Sequence, residues 1–266
     1  MKVSEVFCKS ALSYSRLPGL RYALNPYRGC QHSCLYCYAP YVLRERRPWG
    51  SFLDVKINIP TVLSKELKRK RRGTVGISTV TDPYQPLEKK YKLTRLCLEQ
   101  LLKHDFPISI QTKSALVLRD LDLIKRFSSR DVGFTITTID DEARKRYEPF
   151  ASPVGERISA LGEIADLGIK TWVFIGPIMP YITDRGNGLE NLIKEISKAD
   201  VGEIILDKLN MKPGLDLKLN EFYLRFYPDL LESYRSVDRE YFEKVKSDIF
   251  SLCRKQGVRC SSAWYS

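Results

Sequence analysis

Three cysteines, Cys30, Cys34 and Cys37, lie within eight residues of one another and are the strongest candidates for metal chemistry. Gly29 lets the backbone turn just before the first thiol, so the three thiols can converge on one inorganic centre. A structural zinc site usually has four ligands in two Cys-x(2–4)-Cys halves, and no second half follows Cys37. An iron–sulfur cluster is normally held by four thiolates. Three thiols would leave one iron open, as in a catalytic cluster, and a zinc-binding or electron-transfer loop is the alternative.

The rest of the sequence predicts alternating strands and helices that would position this loop. The predicted strands span 22–27, 76–80, 108–112, 132–138, 170–176 and 203–207. The predicted helices span 38–47, 61–72, 91–103, 117–127, 153–167, 190–198 and 238–256. Strands that alternate with helices favour parallel βαβ units. In parallel barrels functional side chains collect where the strands end, which places the cysteine loop, after the first strand, at the functional edge.

The cysteine spacing, with Tyr36 just before the third cysteine, resembles the signature of the radical S-adenosylmethionine (SAM) superfamily. The flanking stretches Asn25-Pro-Tyr-Arg-Gly-Cys and Tyr36-Cys-Tyr-Ala resemble more narrowly the branch that contains spore photoproduct lyase. Three later stretches are similar to the same branch: Thr81-Asp-Pro-Tyr-Gln-Pro-Leu-Glu88, Gln111-Thr-Lys-Ser114 with Arg119-Asp120, and Glu148-Pro149. The resemblance covers residues 20–210, approximately.

This resemblance implies an α/β fold, a partial (β/α)6 TIM-like barrel with a C-terminal helical extension. The corresponding domains are an N-terminal extension (1–20), the radical SAM partial barrel (21–210) and a C-terminal extension that packs on the barrel (211–266). The implied cofactors are SAM and a 4Fe-4S cluster whose ligands are Cys30, Cys34 and Cys37.

The implied activity is reductive cleavage of SAM to a 5′-deoxyadenosyl radical, which abstracts hydrogen from an unidentified substrate. An electron donor of the flavodoxin or ferredoxin type would be a partner. The alternative from a different class is a non-catalytic iron–sulfur or zinc module that binds nucleic acid.

Polar side chains that follow the predicted strands are candidates for binding SAM, by position. Tyr36 and Tyr38 would line the cluster pocket. After the second strand, four residues are candidates for holding the methionine amino group: Ser78, Thr79, Thr81 and Asp82. An Asp-Pro turn that caps the strand explains Asp82 equally well.

The next two strands supply the remaining candidates for the SAM site. Lys113 and Ser114 are placed to bind the methionine carboxylate, which would offset the desolvation of a buried cation. Asp120 is the structural alternative as the partner of Lys113. Thr138 and Asp140 are candidates for hydrogen bonds to the ribose, and Asp140 is equally suited to cap the following helix.

Two features depart from spore photoproduct lyase. That enzyme uses a cysteine hydrogen donor near the end of the second strand, and residues 76–82 contain no cysteine. The chain is also short for that enzyme and lacks a clear equivalent of its DNA-wedging hairpin, so the same repair reaction is not expected. His32 is interpreted as a loop residue rather than a ligand, and Cys97, Cys253 and Cys260 as structural.

The charge of the chain indicates a polyanionic partner such as DNA or RNA. The net charge is +12 and the pI is about 9.3, a balance that favours nucleic acid. The densest basic run is 65–72, and a second cluster at 44–47 precedes Trp49, which could stack on a base. A solvated face is the alternative for any charged helix.

The sequence lacks the apolar run of a signal peptide or a membrane span. We therefore expect a cytoplasmic protein with no membrane association. Its seven cysteines do not have the pattern of a disulfide framework and should stay reduced.

Overall fold

The computed structural model describes residues 1–264, which form eleven strands and eleven α-helices. The strands are β1 Lys2–Val6, β2 Leu12–Tyr14, β3 Tyr22–Leu24, β4 Tyr27–Arg28, β5 Phe52–Lys56, β6 Val75–Ile77, β7 Ile108–Thr112, β8 Arg130–Thr135, β9 Lys170–Ile178, β10 Glu203–Lys208 and β11 Cys260–Ser262. The helices are α1 Ala39–Val42, α2 Ile59–Leu67, α3 Glu88–Tyr91, α4 Leu93–Lys103, α5 Leu121–Ile124, α6 Asp141–Tyr147, α7 Val154–Asp166, α8 Gly188–Ser197, α9 Leu215–Phe226, α10 Leu231–Arg235 and α11 Arg239–Lys255. Two 3₁₀ segments span Ala115–Asp120 and Pro228–Leu230.

The main sheet has eight strands in the order β11-β10-β9-β8-β7-β6-β3-β2. All neighbours are parallel except the antiparallel pair β2 and β3. Its six central members, β3 and β6 to β10, follow one another in chain order with helices between them. This is the predicted α/β arrangement of six βα units, and the described sheet is open rather than closed into a full barrel.

The helices pack on the sheet through the apolar faces that their spacing predicts. Leu189, Leu192, Ile193 and Ile196 of α8 are buried, which is the i, i+3, i+4, i+7 stripe of an amphipathic helix. Cys97 in α4 is fully buried in the same core, as expected. No helix within residues 1–264 is both long and apolar enough to cross a membrane.

A second, smaller sheet, in the order β1-β5-β4, lies beside the cysteine loop. β5 pairs with β4 in antiparallel register, Tyr27 opposite Val55 and Arg28 opposite Asp54. Neither β1 nor β5 was predicted, because each is a five-residue segment with only partial alternation. The second sheet fixes the chain immediately before Cys30.

The C-terminal segment contacts the molecule at two places. β11 pairs with β10 and so extends the main sheet at its open edge. Helices α9 and α10 form a second buried cluster that includes Phe222 and Tyr223, against which Leu35 and Tyr36 of the cysteine loop pack. The division into domains, with a C-terminal extension over 211–266, stays a prediction, and residues 265–266 lie outside the described residues.

Three predicted helices are shorter in the structure, and the one predicted over 117–127 is the 3₁₀ segment Ala115–Asp120 followed by the short helix α5. The first, predicted over 38–47, is the single turn α1, because Arg44 has a left-handed φ of 48° and Glu45 pairs with Arg28 and Arg47. The second, predicted over 61–72, ends as α2 at Leu67. Beyond it the chain turns, so that the Arg71 carbonyl accepts a hydrogen bond from the Tyr22 hydroxyl.

Candidate active site

The cysteine loop leaves the end of β4 and returns at α1, and it places three thiols near one another. Cys30 is buried, and Cys34 and Cys37 are partly buried. Gly29 has a φ of +95°, and a Cβ there would lie 2.5 Å from the Phe52 carbonyl oxygen, so only glycine fits at this turn. The Leu35 backbone N–H donates to the Tyr147 carbonyl at 3.0 Å, which anchors the middle of the loop.

The three thiols are buried enough to be neutral unless a cation binds them. Burial raises the pKa of each of Cys30, Cys34 and Cys37 to about 12, and neighbouring thiols act in the same direction. Bound iron would reverse this balance, because a coordinating thiol is deprotonated outright. Within residues 1–264, no three His, Cys, Asp or Glu side chains converge as ligands of a single ion. Three soft thiolate donors are of the type that holds an iron–sulfur cluster, and a zinc site stays the alternative.

The loop is held by the segment after β6 through a series of long-range hydrogen bonds, which we call the motif clasp. Each contact joins a residue of the stretch 25–32 to a residue of the stretch 79–88. The contacts are Thr79 N and Val80 N to Asn25 Oδ1, the Tyr27 hydroxyl to Glu88, Thr81 Oγ1 to the Gly29 carbonyl, Gln31 N to Gln85 Oε1, Leu87 N to Gln31 Oε1, and His32 beside Asp82. The two sequence motifs thus form one structural unit.

Asp82 and Thr81 are engaged inside this unit. Asp82 Oδ1 accepts from Tyr84 N at 2.9 Å and Thr112 Oγ1 at 2.7 Å, and Oδ2 accepts from Lys113 N at 2.8 Å. Burial acts to raise the pKa of Asp82, but His32 and these donors outweigh it and hold it at about 2. The structure thus supports the turn-forming alternative for Asp82, since protein donors use both of its oxygens.

Ser78 and Thr79 differ in what their hydroxyls contact. Ser78 lies just after β6 with a left-handed φ of 63°, and its buried Oγ has no hydrogen-bond partner within residues 1–264. Thr79 Oγ1 lies 3.5 Å from the Asn25 side-chain amide, and the Thr79 carbonyl accepts from the Tyr38 hydroxyl. An unsatisfied buried hydroxyl is costly, so the Ser78 hydroxyl retains hydrogen-bonding capacity for a ligand.

Lys113 lies after β7 between the cysteine loop and Glu148. Its ammonium nitrogen lies 5.6 Å from the centre of the Tyr36 ring. Burial acts to lower its pKa, but the charges of Cys34, Glu148 and Asp82 outweigh this effect and raise it. No carboxylate of residues 1–264 lies within 4.0 Å of this nitrogen; Asp120, the alternative partner, pairs with Arg95 at 3.1 Å and Arg119 at 2.7 Å.

Ser114, Thr138 and Asp140 all accept hydrogen bonds from nearby backbone N–H groups. Ser114 Oγ accepts from Leu116 N at 3.3 Å and begins the 3₁₀ segment. Thr138 Oγ1 accepts from the Asp140 backbone N–H at 3.0 Å. The Asp140 carboxylate accepts from the first turn of α6 at 2.9 and 3.1 Å. For Asp140 the structure thus shows the capping alternative, and a contact to ribose stays a prediction.

A buried ion pair supports Tyr36, and the sequence did not reveal it. The Tyr36 hydroxyl donates to Glu148. Glu148 in turn lies 2.7 Å from Arg157, and both side chains are 0% exposed. Glu148 carried part of the family resemblance but no assigned role, and Arg157 lies on the buried face of α7, where an apolar residue is the usual expectation. Tyr38, in contrast, is 45% exposed.

Trp49 faces inward, against the expectation that it stacks on a base. Its ring meets Phe52 edge-on, with centroids 6.0 Å apart, and it lines a cavity of about 180 Å³. The other residues that line this cavity are Ser33, Cys34, Leu35, Cys37, Pro40, Tyr41 and Lys218. The indole therefore packs beside the cysteine loop.

The basic run 65–72 lies at the opposite end of the sheet. Arg72 donates to Asp105 and Ser128, which lie just before β7 and β8. Lys70 stacks over the rings of Tyr14 and Tyr22 at 5.0 and 5.7 Å. These residues are at the amino ends of the strands, whereas the cysteine loop is at the carboxyl ends. A phosphate backbone that followed this run would not approach the cysteines.

Comparisons with known proteins agree with this architecture. The sequence profile of the Radical SAM superfamily matches residues 24–193. An uncharacterised protein of Methanocaldococcus jannaschii is 35% identical over 262 residues, which cover 97% of this chain and 95% of that protein. The Radical SAM Nalpha-GlyT isomerase of Pseudomonas phage M6 is 24% identical over 246 residues, 90% of this chain and 50% of the phage protein.

Solved structures of spore photoproduct lyase share the fold. The complex with dinucleoside spore photoproduct superposes with a TM-score of 0.75 at 16% identity, covering 99% of this chain and 82% of that one. A mutant with bound AdoMet and the same dinucleoside gives a TM-score of 0.72 at the same identity and coverage. The cysteine loop, the open sheet and the match over residues 24–193 together show that this chain belongs to the radical SAM superfamily and is a radical SAM enzyme.

Proposed function

We propose that Cys30, Cys34 and Cys37 hold a 4Fe-4S cluster, and that SAM binds beside it at the carboxyl ends of β6 and β7. When bound, these two groups supply one-electron cleavage of the sulfur–C5′ bond and a 5′-deoxyadenosyl radical that abstracts hydrogen from the substrate. The observation that carries this proposal is a juxtaposition at one sheet edge. The buried thiol of Cys30, the partly buried thiols of Cys34 and Cys37, the Ser78 hydroxyl and the Lys113 ammonium lie there together.

Lys113 and Ser78 are the residues proposed to hold the methionine end of SAM. The Lys113 cation lacks a carboxylate within 4.0 Å among the described residues, and a ligand carboxylate would provide one. A charge-assisted hydrogen bond of this kind is roughly twice as strong as a neutral one. The Ser78 hydroxyl would donate to or accept from the same ligand. Tyr36 of the cysteine loop, fixed by Glu148, presents its ring to this cation.

The proposed partner for reduction is a one-electron donor of the flavodoxin or ferredoxin type. Radical SAM enzymes in general need a reductant, and partly exposed thiols at the cavity beside Trp49 provide an approach to the cluster from the surface. The substrate class that we propose to test first is nucleic acid. The dinucleoside held by spore photoproduct lyase supports this choice, as does Lys208 at the carboxyl end of β10.

The test is anaerobic reconstitution with iron and sulfide, followed by incubation with SAM and dithionite. We expect about four irons per chain, and 5′-deoxyadenosine whose yield rises with DNA or RNA if nucleic acid is the substrate. The matched control replaces Cys30, Cys34 and Cys37 together by Ala. Wild-type iron content in that variant would place the cluster elsewhere. A fully loaded wild-type protein that forms no 5′-deoxyadenosine would contradict the proposed reaction.

A further inference from the structure

Trp49 carries a buried hydrogen-bond donor that no nitrogen or oxygen accepts. Its Nε1 is shielded from solvent, and within residues 1–264 it has no hydrogen-bond partner. Most buried polar groups in native proteins are paired, because leaving one unpaired costs its full desolvation. An orphaned indole N–H beside a set of thiols therefore needs a physical explanation.

The structure fixes this indole firmly against the cysteine loop. The ring packs edge-on against Phe52, whose other contact is the Arg47 guanidinium 3.5 Å above the ring centre. Arg47 is held in turn by Glu45 and Asp54. The following residue, Gly50, lies so close to Ser33 that a Cβ would be 2.1 Å from its hydroxyl. The position of the indole is thus set by packing.

The candidate acceptor for this N–H is the Cys37 sulfur, which lines the same cavity as the indole. The indole N–H is directed toward the Cys37 side chain. A neutral thiol is a weak acceptor, whereas a thiolate bound to iron is a strong one. The indole N–H would therefore have a strong acceptor only when Cys37 binds iron as a thiolate.

We propose that Trp49 donates an N–H···S hydrogen bond to Cys37 in the cluster-loaded protein and thereby raises the reduction potential of the cluster. The inference rests on the proposed function, because it requires Cys37 to be a cluster ligand. Hydrogen bonds to the sulfurs are among the factors that set cluster potentials. A donor at the sulfur stabilises the reduced form, which carries one more negative charge.

The variant Trp49→Phe removes the N–H and keeps a ring against Phe52. The matched control is Trp172→Phe, which also removes a donated indole hydrogen bond, to Asp131 at 2.7 Å, but lies on β9 at the amino end of the sheet. Both variants and the wild type are reconstituted anaerobically, assayed for iron and sulfide, and titrated with dithionite while the reduced cluster is followed by electron paramagnetic resonance.

We expect Trp49→Phe to hold the wild-type amount of iron and to be harder to reduce. The reduction equilibrium should shift by up to about tenfold, which is about 59 mV for one electron. Trp172→Phe should keep the wild-type potential. An unchanged potential in a fully loaded Trp49→Phe protein would overturn the inference and leave the proposed function intact, whereas a wild-type protein without iron would overturn both.

A second measurement tests the inference even if the Trp49→Phe protein fails to bind the cluster. Wild-type protein labelled with ¹⁵N at the indole nitrogens should show a ¹⁵N coupling to the reduced cluster in pulsed electron paramagnetic resonance, and Trp172→Phe should retain it. Absence of the coupling in loaded wild-type protein would overturn the inference without recourse to any variant at position 49.

Discussion

Replacing Arg157 by Met is expected to destabilise the protein by about 3–5 kcal/mol, the usual cost of removing one partner from a buried ion pair. Arg157 and Glu148 are both 0% exposed and lie 2.7 Å apart. Arg157 also donates to the carbonyl oxygens of Ser152 and Thr135, each at 2.8 Å. Methionine keeps much of the apolar length but leaves the Glu148 carboxylate without its counter-charge and two carbonyls without their donor.

A double-mutant cycle with Glu148→Gln separates charge from packing. In the double variant both charges are gone, so its cost should be smaller than the sum of the two single costs. The assay is urea unfolding under anaerobic conditions. Arg235→Met is the matched control, because its ion pair with Glu232 is 52% and 83% exposed, and such pairs are worth about 0–1 kcal/mol.

The reasoning would be refuted by Arg157→Met unfolding within about 1 kcal/mol of the wild type, or by additive costs in the cycle. Because Tyr36 donates to Glu148, the same variants report on the cysteine loop. Glu148→Gln should retain the hydrogen bond to Tyr36 and load iron normally, whereas Arg157→Met should load less iron in proportion to its loss of stability.

Three further predictions follow from single contacts. Lys113→Ala should weaken SAM binding roughly ten- to hundredfold, since a charge-assisted contact is worth about 1.5–3 kcal/mol. Titration calorimetry checks this, with Lys125→Ala at an exposed position as the control. An unchanged dissociation constant would remove Lys113 from the site. Neutralising Lys68, Arg69, Arg71 and Arg72 together should reduce the salt dependence of duplex binding without changing 5′-deoxyadenosine formation, because the run lies at the far end of the sheet; lost turnover would contradict that placement. The Arg95 hydrogen bonds hold the pKa of Asp122 at about 2, below about 3.9 in the unfolded chain. The stabilisation that Asp122 provides is therefore full above pH ~4 and is lost as the pH falls through ~2. In urea unfolding at a series of pH values, Asp122→Asn and wild type should differ in unfolding free energy by at most about 1 kcal/mol at pH 7 and converge near pH 2.

The six parallel strands could be predicted because each is a short apolar run between helices with clear 3.6-residue spacing. Leu189 to Ile196 of α8 is such a helix, and its buried face is the predicted one. β5 and α9 escaped prediction for a different reason. The burial of β5 is set by partners far away in sequence, namely β1 and β4. α9 exposes Leu217 and Leu224 beside its charged residues, which obscures its buried stripe.

The three cysteines could be identified from their spacing alone, since tight spacing is what a loop of convergent thiols requires. The roles of their neighbours could not. A hydroxyl or carboxylate residue that follows a strand gives the same sequence pattern whether its side chain binds a ligand or caps a turn. Asp140 shows this, because its carboxylate accepts two backbone N–H groups of α6. The inward orientation of Trp49 depends on Phe52 and Gly50, and a basic sequence next to an aromatic gives no sign of it.

The motif clasp explains why two stretches fifty residues apart carry the same family resemblance. Every second residue of 25–31 meets a partner in 79–88, so that one stretch cannot be placed without the other. The clasp engages Thr81 and Asp82, the residues that position alone suggested for SAM. The segment after β6 thus mainly shapes the cysteine loop, and the buried hydroxyls of Ser78 and Tyr84 lack a hydrogen-bond partner within the described residues. We propose that ligand binding at this edge depends on Ser78 and on Lys113 after the neighbouring strand, whose backbone N–H donates to the clasp residue Asp82.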